Sequence, residues 1–267
     1  MKQILDYSQE PETVFTPLSR KRYREFYEIE MNDFSDDLNF YLTSLERGME
    51  VLDVGCGSGR LSRALAAHGM RVVGIDNSIE MLTGASSMKG SNIKYVCMDM
   101  LDMALDKRFD AAFIAYNTLN LLKDVANVRQ TLTGCRHHLK ENGLLLLQIF
   151  IPRKKTMADQ GARTFQFQIF KSPKGGKIIK ETLKSFTGEY RLILEERYRV
   201  RPMNTKDDNE DLSHAMHLLA LDHTDWIRLV LEAGFTVTGQ YGDFDLSPFS
   251  KEKSSMLLIQ AKAHLSC

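Results

Sequence analysis

The stretch Val51-Leu52-Asp53-Val54-Gly55-Cys56-Gly57-Ser58-Gly59-Arg60-Leu61 limits what this chain can fold into more than any other. It opens as a short, mostly apolar strand and passes through three glycines at alternate positions, which require a tight turn. From Arg60 it continues with apolar residues at helical spacing, namely Leu61, Ala64 and Leu65. A strand that feeds a glycine turn into a helix N-terminus leaves backbone N–H groups and a positive dipole end beside a surface that a ligand can approach closely. A nucleoside-like ligand is expected to lie across that turn.

The glycine spacing narrows the ligand. The dinucleotide fingerprint is G-x-G-x-x-G, whereas here Gly55, Gly57 and Gly59 run G-x-G-x-G and Arg60 takes the third fingerprint position. An acid, Asp53, also closes the strand, and a carboxylate there suits a ligand with a cationic amino-acid end better than a pyrophosphate. The stretch resembles motif I of the class I S-adenosylmethionine (SAM)-dependent methyltransferases. A nicotinamide-dependent dehydrogenase is disfavoured by the glycine spacing and by the acids Asp53 and Asp99.

The rest of the chain is compatible with that class. Its 267 residues suit one large domain or a domain with an insertion, and 43% hydrophobic residues supply a sizeable core. Lys+Arg and Asp+Glu are both 35, so the basic excess typical of a nucleic-acid binder is missing. Cys56, Cys97, Cys135 and Cys267 are scattered and form no C-x-x-C pair, which points to free thiols in a reducing compartment. The polar N-terminus lacks the apolar region of a secretory signal, and no apolar run is long enough for a membrane span. A soluble cytoplasmic protein with no membrane or nucleic-acid partner is expected, as a monomer or homodimer.

Strand and helix signals then alternate. Residues 1–17 read as an extended or partly disordered stretch, residues 18–31 as an amphipathic helix, and Ser35 as the cap of a helix burying Leu38, Tyr41, Leu42 and Leu45. Arg71-Val72-Val73-Gly74-Ile75-Asp76 is a second strand ending in an acid, placed to accept both hydroxyls of a ribose. Residues 93–100 and 109–117 follow as strands, 119–139 contain a helix ending at Lys140-Glu141-Asn142-Gly143, and 143–151 form a central strand. This alternation predicts a parallel sheet covered on both faces. From residue 164 to 221 the period becomes two, with Phe165, Phe167 and Ile169 alternating with glutamines and a hairpin turn at Lys174-Gly175-Gly176-Lys177. Four antiparallel strands suited to cover the first domain are expected there. A capped helix from Asp222 to Gly234 and strands over 235–241 and 255–263 complete the sheet.

With those elements placed, the methyltransferase resemblance extends over residues 34–161 and 222–263. It implies an α/β, Rossmann-like, doubly wound sheet of seven strands with the last antiparallel, carrying an inserted antiparallel β lid. The expected division is an N-terminal helical arm (1–33), a SAM-binding domain (34–161 and 222–267) and the lid (162–221). It also implies SAM as cofactor, S-adenosylhomocysteine (SAH) as product, and a cofactor site of Asp53, Gly55, Cys56, Gly57, Gly59, Asp76, Asn77, Met81, Asp99, Met100 and Tyr116. Asp36-Asp37-Leu38-Asn39-Phe40-Tyr41, Tyr116-Asn117-Thr118-Leu119-Asn120 and residues 241–249 are similar to bacterial small-molecule methyltransferases, including amino-sugar N-methyltransferases. The Asn-Pro-Pro-Tyr type motif of enzymes acting on bases or glutamine is replaced by Ala115-Tyr116-Asn117-Thr118, which favours a small-molecule acceptor.

Methyl transfer from a sulfonium is an in-line displacement, so positioning and water exclusion can supply most of the acceleration. The candidate polar groups near the transferred methyl are Tyr23, Tyr27, Asn117, His217, Asp243 and Asp245, with Tyr27, Asn117 and Asp243 the candidates for a direct catalytic part. The two acids around Phe244 suit a cationic or amine-bearing acceptor. If residues 213–221 are a strand, His214 and His217 point to opposite faces, which excludes a metal pair and leaves one of them to face the substrate. The competing non-enzymatic reading is a SAM-binding regulator without chemistry.

Overall fold

A computed structural model describes residues 14–87, 90, 92–152, 163–188, 190–204 and 208–264. The stretch before residue 14, the expected boundary at residues 161/162, part of the polar loop over 204–211, and Cys267 lie outside those residues. In chain order, β1 (Thr16–Pro17), α1 (Arg20–Met31) and α2 (Leu38–Leu42) precede β2 (Glu50–Val54) and α3 (Arg60–Ala67). Next come β3 (Arg71–Asp76), α4 (Ile79–Ser87), β4 (Ile93–Cys97), β5 (Phe109–Ile114), α5 (Val125–His137) and β6 (Leu139–Phe150). The strands β7 (Arg163–Lys171), β8 (Lys177–Phe186), β9 (Arg191–Arg201) and β10 (Glu210–Leu219) follow, then α6 (His223–Glu232), β11 (Phe235–Tyr241) and β12 (Met256–Ala263).

Seven strands form one sheet in the order β11-β12-β6-β5-β2-β3-β4, and β12 runs antiparallel to both of its neighbours. Its alternate residues feed two cores, because successive strand side chains point to opposite faces. Leu52, Ile75, Ala112 and Leu147 pack with α5 and α6 through Val128, Leu132, Trp226 and Leu229. Val51, Val72, Phe113 and Leu146 pack on the other face against Phe40, Tyr41, Leu61 and Leu65. Burial on both faces is why these strands read as continuous apolar runs. The chain winds from β2 outward through β3 and β4, then returns to β5 on the other side of β2. Ligands bind at such a switch point, outside the carboxyl ends of the strands.

The second sheet has the order β1-β10-β9-β8-β7, antiparallel except that β1 runs parallel to β10. The two-residue β1 adds a fifth strand to the expected four; its Pro17 lacks an N–H and suits an edge. One face of this sheet packs on α1, where Phe26, Ile178, Tyr198, Val200 and Leu212 are buried together and the Phe26 and Tyr198 rings stack at 4.4 Å. On edge strand β7, Phe165, Phe167 and Ile169 face outward, all more than half exposed, while Phe170 packs against the core under α1.

Two local expectations are corrected. Ser35 does not cap α2, which is a single turn preceded by Asp37, whose side chain caps nothing because it is turned to Arg60. The stretch Lys140-Glu141-Asn142-Gly143 is not a helix end. The helix stops at His137, Leu139 already pairs with Phe109, and Asn142 takes a left-handed conformation (φ 56°) in an irregular start to β6. No helix among the described residues is long and apolar enough to cross a membrane.

Candidate active site

A cavity of about 780 Å³ opens at the carboxyl ends of β2, β3, β4 and β5 and runs on to the second sheet. Its floor is the glycine turn. Gly55 adopts φ 76°, and a Cβ there would lie 2.6 Å from the Thr118 methyl, so only glycine lets the turn lie against the loop after β5. Gly59 adopts φ 75° with its α-carbon against the Tyr95 hydroxyl, and it stands at the N-cap, directly before α3.

Three acids face or frame this half of the cavity. Asp53 is 3% exposed and accepts a 2.6 Å hydrogen bond from the Ser62 hydroxyl. Burial pushes its carboxyl up to about 7; the Ser62 hydrogen bond pulls the other way, and the neighbouring Asp76 adds repulsion. Asp76 ties the turn to the tip of β3, its two oxygens accepting from the Gly57 and Ser78 amides at 2.8 Å each. Asp99 accepts from the Leu101 amide at 2.9 Å. Arg60, whose Nη atoms bind the fully buried Asp37, lines the same region, and its Nε is buried without a partner. A ligand with an ammonium, a carboxylate, a ribose and an adenine fits this donor and acceptor set. The buried Asp53 carboxylate suits an ammonium, the orphaned Arg60 nitrogen a carboxylate, and the remaining lone pairs of Asp76 a ribose. Cys56 also lines the floor, but burial drives its thiol pKa far up, so it stays a neutral wall.

The other half of the cavity is aromatic. Tyr27 reaches over the floor with its hydroxyl 3.9 Å from where a Cβ on Gly57 would stand. Its ring meets Tyr116 edge-on at 5.9 Å and Tyr23 at 6.5 Å, and Tyr23 meets His214 of the second sheet at 4.9 Å. Burial pushes the phenols of Tyr23, Tyr27 and Tyr116 up, so all three stay protonated at neutral pH. Tyr116 and Asn117 both hold positive φ (49° and 61°) after β5, and the Tyr116 amide donates to the buried Gln148 side chain at 2.9 Å.

Most of the sequence-derived site residues converge here. Asp53, Gly55, Cys56, Gly57, Asp76, Asn77, Met81, Asp99, Met100, Tyr116, Tyr23 and Tyr27 all line the cavity. Gly59 shapes the turn from behind. Asn117 falls outside the lining and begins a 3-10 turn, with its carbonyl accepting from the Asn120 amide. Asp243 and Asp245 are exposed and also fall outside the lining, because each carboxylate caps its own turn through the amides of Phe244 and Ser247. His217 faces solvent on β10, and its neighbour of opposite parity, His214, enters the cavity instead. The shared parity of Leu212, His214, Met216 and Leu218 was the sequence signal for that choice. Arg60 and Leu18 are lining residues that sequence reasoning did not single out.

The fold and cavity define a Rossmann-like protein built to hold a nucleoside cofactor with an amino-acid end. Residues 51–143 match the model of a family described as a methyltransferase domain. A Geobacillus sp. (strain WCH70) protein with a methyltransferase name is 31% identical over 223 residues, covering 79% of this chain and 83% of that protein. The ubiquinone biosynthesis O-methyltransferase of Rickettsia conorii is 29% identical over 140 residues, which are 51% of this chain and 44% of that enzyme. Among solved structures, a SAM-dependent methyltransferase from Clostridium acetobutylicum superposes with TM-score 0.73 at 14% identity, over 91% of this chain and 99% of that one. The sugar N-methyltransferase KedS8 from Streptoalloteichus gives 0.72 at 17% identity over 96% and 98%. A SAM-bound amino pentose methyltransferase from Micromonospora echinaspora gives 0.71 at 18% over 95% and 99%. At these identities the structural likeness is one of fold. The chain belongs to the class I SAM-dependent methyltransferases, and its cofactor is SAM.

Asp76→Ala is expected to weaken SAM binding tenfold or more, since hydrogen bonds to a charged group are each worth about 1.5–3 kcal/mol and about 1.4 kcal/mol is a decade of affinity. Calorimetry with SAM measures it. An unchanged affinity, with only the cofactor-free protein destabilised, would reduce Asp76 to an anchor of the Gly57 turn.

Proposed function

We propose that the protein methylates an amine nitrogen of a small molecule held between the glycine turn and the second sheet, and that residues 162–221 act as a lid over that acceptor. The observation that carries this reading is the aromatic wall of Tyr23, Tyr27 and Tyr116, with His214 behind it, on the side of the cavity away from the ribose-binding acid. Neutral phenol rings favour a cationic or amine-bearing group through their faces, and they exclude the water that would compete for a reactive methyl. Residues 34–161 and 222–267 are proposed as the SAM-binding domain. In it Asp53 and Arg60 hold the amino-acid end, Asp76 and Asn77 the ribose, and Asp99, Met100 and Met81 the adenine side. SAM supplies an activated methyl on a sulfonium, and the chain's task is to align an acceptor lone pair with it and keep water out. Asp243 and Asp245 no longer support an amine, because their carboxylates serve their own turns.

Neighbours of this fold that bear the names amino pentose methyltransferase and sugar N-methyltransferase point the same way. A phenolic oxygen is the second reading, favoured by relatives named as ubiquinone biosynthesis O-methyltransferases. SAH release should be measured with free amino sugars such as glucosamine, other primary amines, and catechols. Turnover confined to amines is the expected result, and turnover confined to catechols would replace nitrogen by oxygen.

A further inference from the structure

The second sheet brings one titratable side chain to the cavity, with a file of buried charges behind it. His214 on β10 lines the cavity beside Met216. Its Nε2 lies 2.8 Å from Oε2 of Glu196 on β9. The other Glu196 oxygen is 2.6 Å from Nζ of Lys180 on β8, and the same Nζ is 2.6 Å from Oε2 of Glu30 on α1. The Tyr198 hydroxyl donates to Glu30 Oε1 at 2.9 Å and stands 3.3 Å from Glu196 Oε2. Lys180 and Glu196 are 8% and 6% exposed.

Such a cluster is a poor way to stabilise a fold. Desolvation of buried ions often cancels their attraction, and apolar residues of similar size do as well or better. Its charge count suits a different purpose. One lysine stands against two carboxylates, so the cluster carries one surplus negative charge while His214 is neutral and none once His214 takes up a proton. A carboxylate bonded to one imidazole nitrogen also fixes which nitrogen carries the hydrogen and leaves the other bare. Among the described residues that line the cavity, the three tyrosines and Cys56 are held protonated, and Asp53, Asp76 and Asp99 lie in the half assigned above to the cofactor.

We propose that His214 takes the proton released by the methyl acceptor, and that Glu196, clamped by Lys180 and Glu30, orients its ring and offsets the charge it gains. This rests on the reading above that the acceptor occupies the lid side of the cavity. The acceptor's nitrogen lone pair forms the new bond to the methyl carbon, and the carbon–sulfur bond breaks with its electron pair left on sulfur. The nitrogen's proton goes to Nδ1 of His214, while Nε2–H stays on Glu196. His214 is the catalytic residue here; Glu196, Lys180 and Glu30 are positioning residues. The arrangement also ties the base, through Lys180 and Tyr198, to Glu30 on the helix that carries Tyr23 and Tyr27.

The test is a histidine-ring nitrogen–proton correlation spectrum of the full-length protein saturated with SAH, followed from about pH 6 to 9, with the His214 signals assigned by His214→Gln. Besides His214, the groups that bear on its titration are Glu196, Tyr198, Lys180 and Lys184 from the sheet, and Tyr23 and Glu30 from α1. The tautomer expected of the neutral ring carries its hydrogen on Nε2, facing Glu196, and leaves Nδ1 bare. Glu196→Gln should mix the two tautomers, and Lys180→Met should give a smaller change if Glu196→Gln fails to fold. A ring that stays doubly protonated to about pH 9, or that carries its hydrogen on Nδ1, cannot accept this proton and overturns the proposal. With glucosamine as probe, His214→Gln should lower kcat by about 10²–10⁴-fold and leave SAM affinity within about twofold, while parent-like kcat overturns the role. If the parent fails to bind SAH, the cofactor reading has failed and not this one.

Discussion

Asp37→Ala should lower the unfolding free energy by about 3–5 kcal/mol, the range for removing one partner of a buried ion pair. Asp37 is fully buried 23 positions before Arg60 and accepts from both of its Nη atoms. Arg60 keeps a 3.1 Å bond to the Phe34 carbonyl and lies 5.1 Å from the Phe34 ring, but neither neutralises a guanidinium that is largely withdrawn from solvent at the cavity wall. Truncating Asp37 therefore strands a charge at the first residue of α3, directly after the glycine turn. The double variant Asp37→Ala/Arg60→Ala removes the stranded charge and should recover part of the loss, which urea unfolding of all four proteins of the cycle measures. A single-variant loss under about 1 kcal/mol would mean that the pair behaves like an exposed one. SAM affinity should fall with the single variant too, because the same pair fixes the start of the helix that follows Gly59.

That pair was hidden in the sequence, although both of its members were in view. Arg60 stood out only as the residue that displaces a fingerprint glycine, and Asp37 only as part of an acidic segment. Nothing in local spacing links a single-turn helix to the start of α3; the two meet only through the core they share on one face of the sheet. The glycine turn and the strand-end acids were legible because each is dictated locally, by positive φ and by the end of a buried run, whereas the antiparallel last strand was implied only by the resemblance to the methyltransferase family. Side-chain direction was less legible. Asp243 and Asp245 looked like acceptor contacts after a strand, yet short acids in a turn readily satisfy the turn's own amides, and these do. His214 and His217 differed only in parity, which the apolar residues Leu212, Met216 and Leu218 decide for His214. The five-stranded sheet was readable from its period of two. Its attachment to α1 was not, because Phe26 and Tyr198 meet across more than half of the chain.

The stability of the cofactor-free enzyme should fall between about pH 4 and pH 7 by an amount on the order of 4 kcal/mol that Asp53→Asn abolishes. Burial raises the Asp53 carboxyl from 3.8 to about 7 in the folded protein. A raised carboxyl makes the folded state hold a proton that the unfolded chain has already released. The stabilisation is thus complete below the unfolded value and is lost as pH climbs through the folded one. Other groups titrate over the same range, so the measurement is the difference between the parent and Asp53→Asn curves from urea unfolding at each pH. The difference should grow in favour of the variant across that window and level off above it. SAM has the opposite preference. Its ammonium, with an ordinary α-amino pKa near 8, stays charged throughout the window and favours the ionised carboxylate. Parent affinity for SAM should therefore rise by up to about a decade per pH unit below 7 and flatten beyond, while Asp53→Asn binds more weakly at pH 7.5 or so and shows no such slope. A flat difference curve would mean that Asp53 is already ionised at acid pH, with its charge carried by the Ser62 hydroxyl and not reserved for a ligand. A slope in stability without one in SAM affinity would place the cofactor's ammonium elsewhere in the cavity. If both slopes appear together, the same buried acid that weakens the empty protein is the one that holds the charged end of its cofactor.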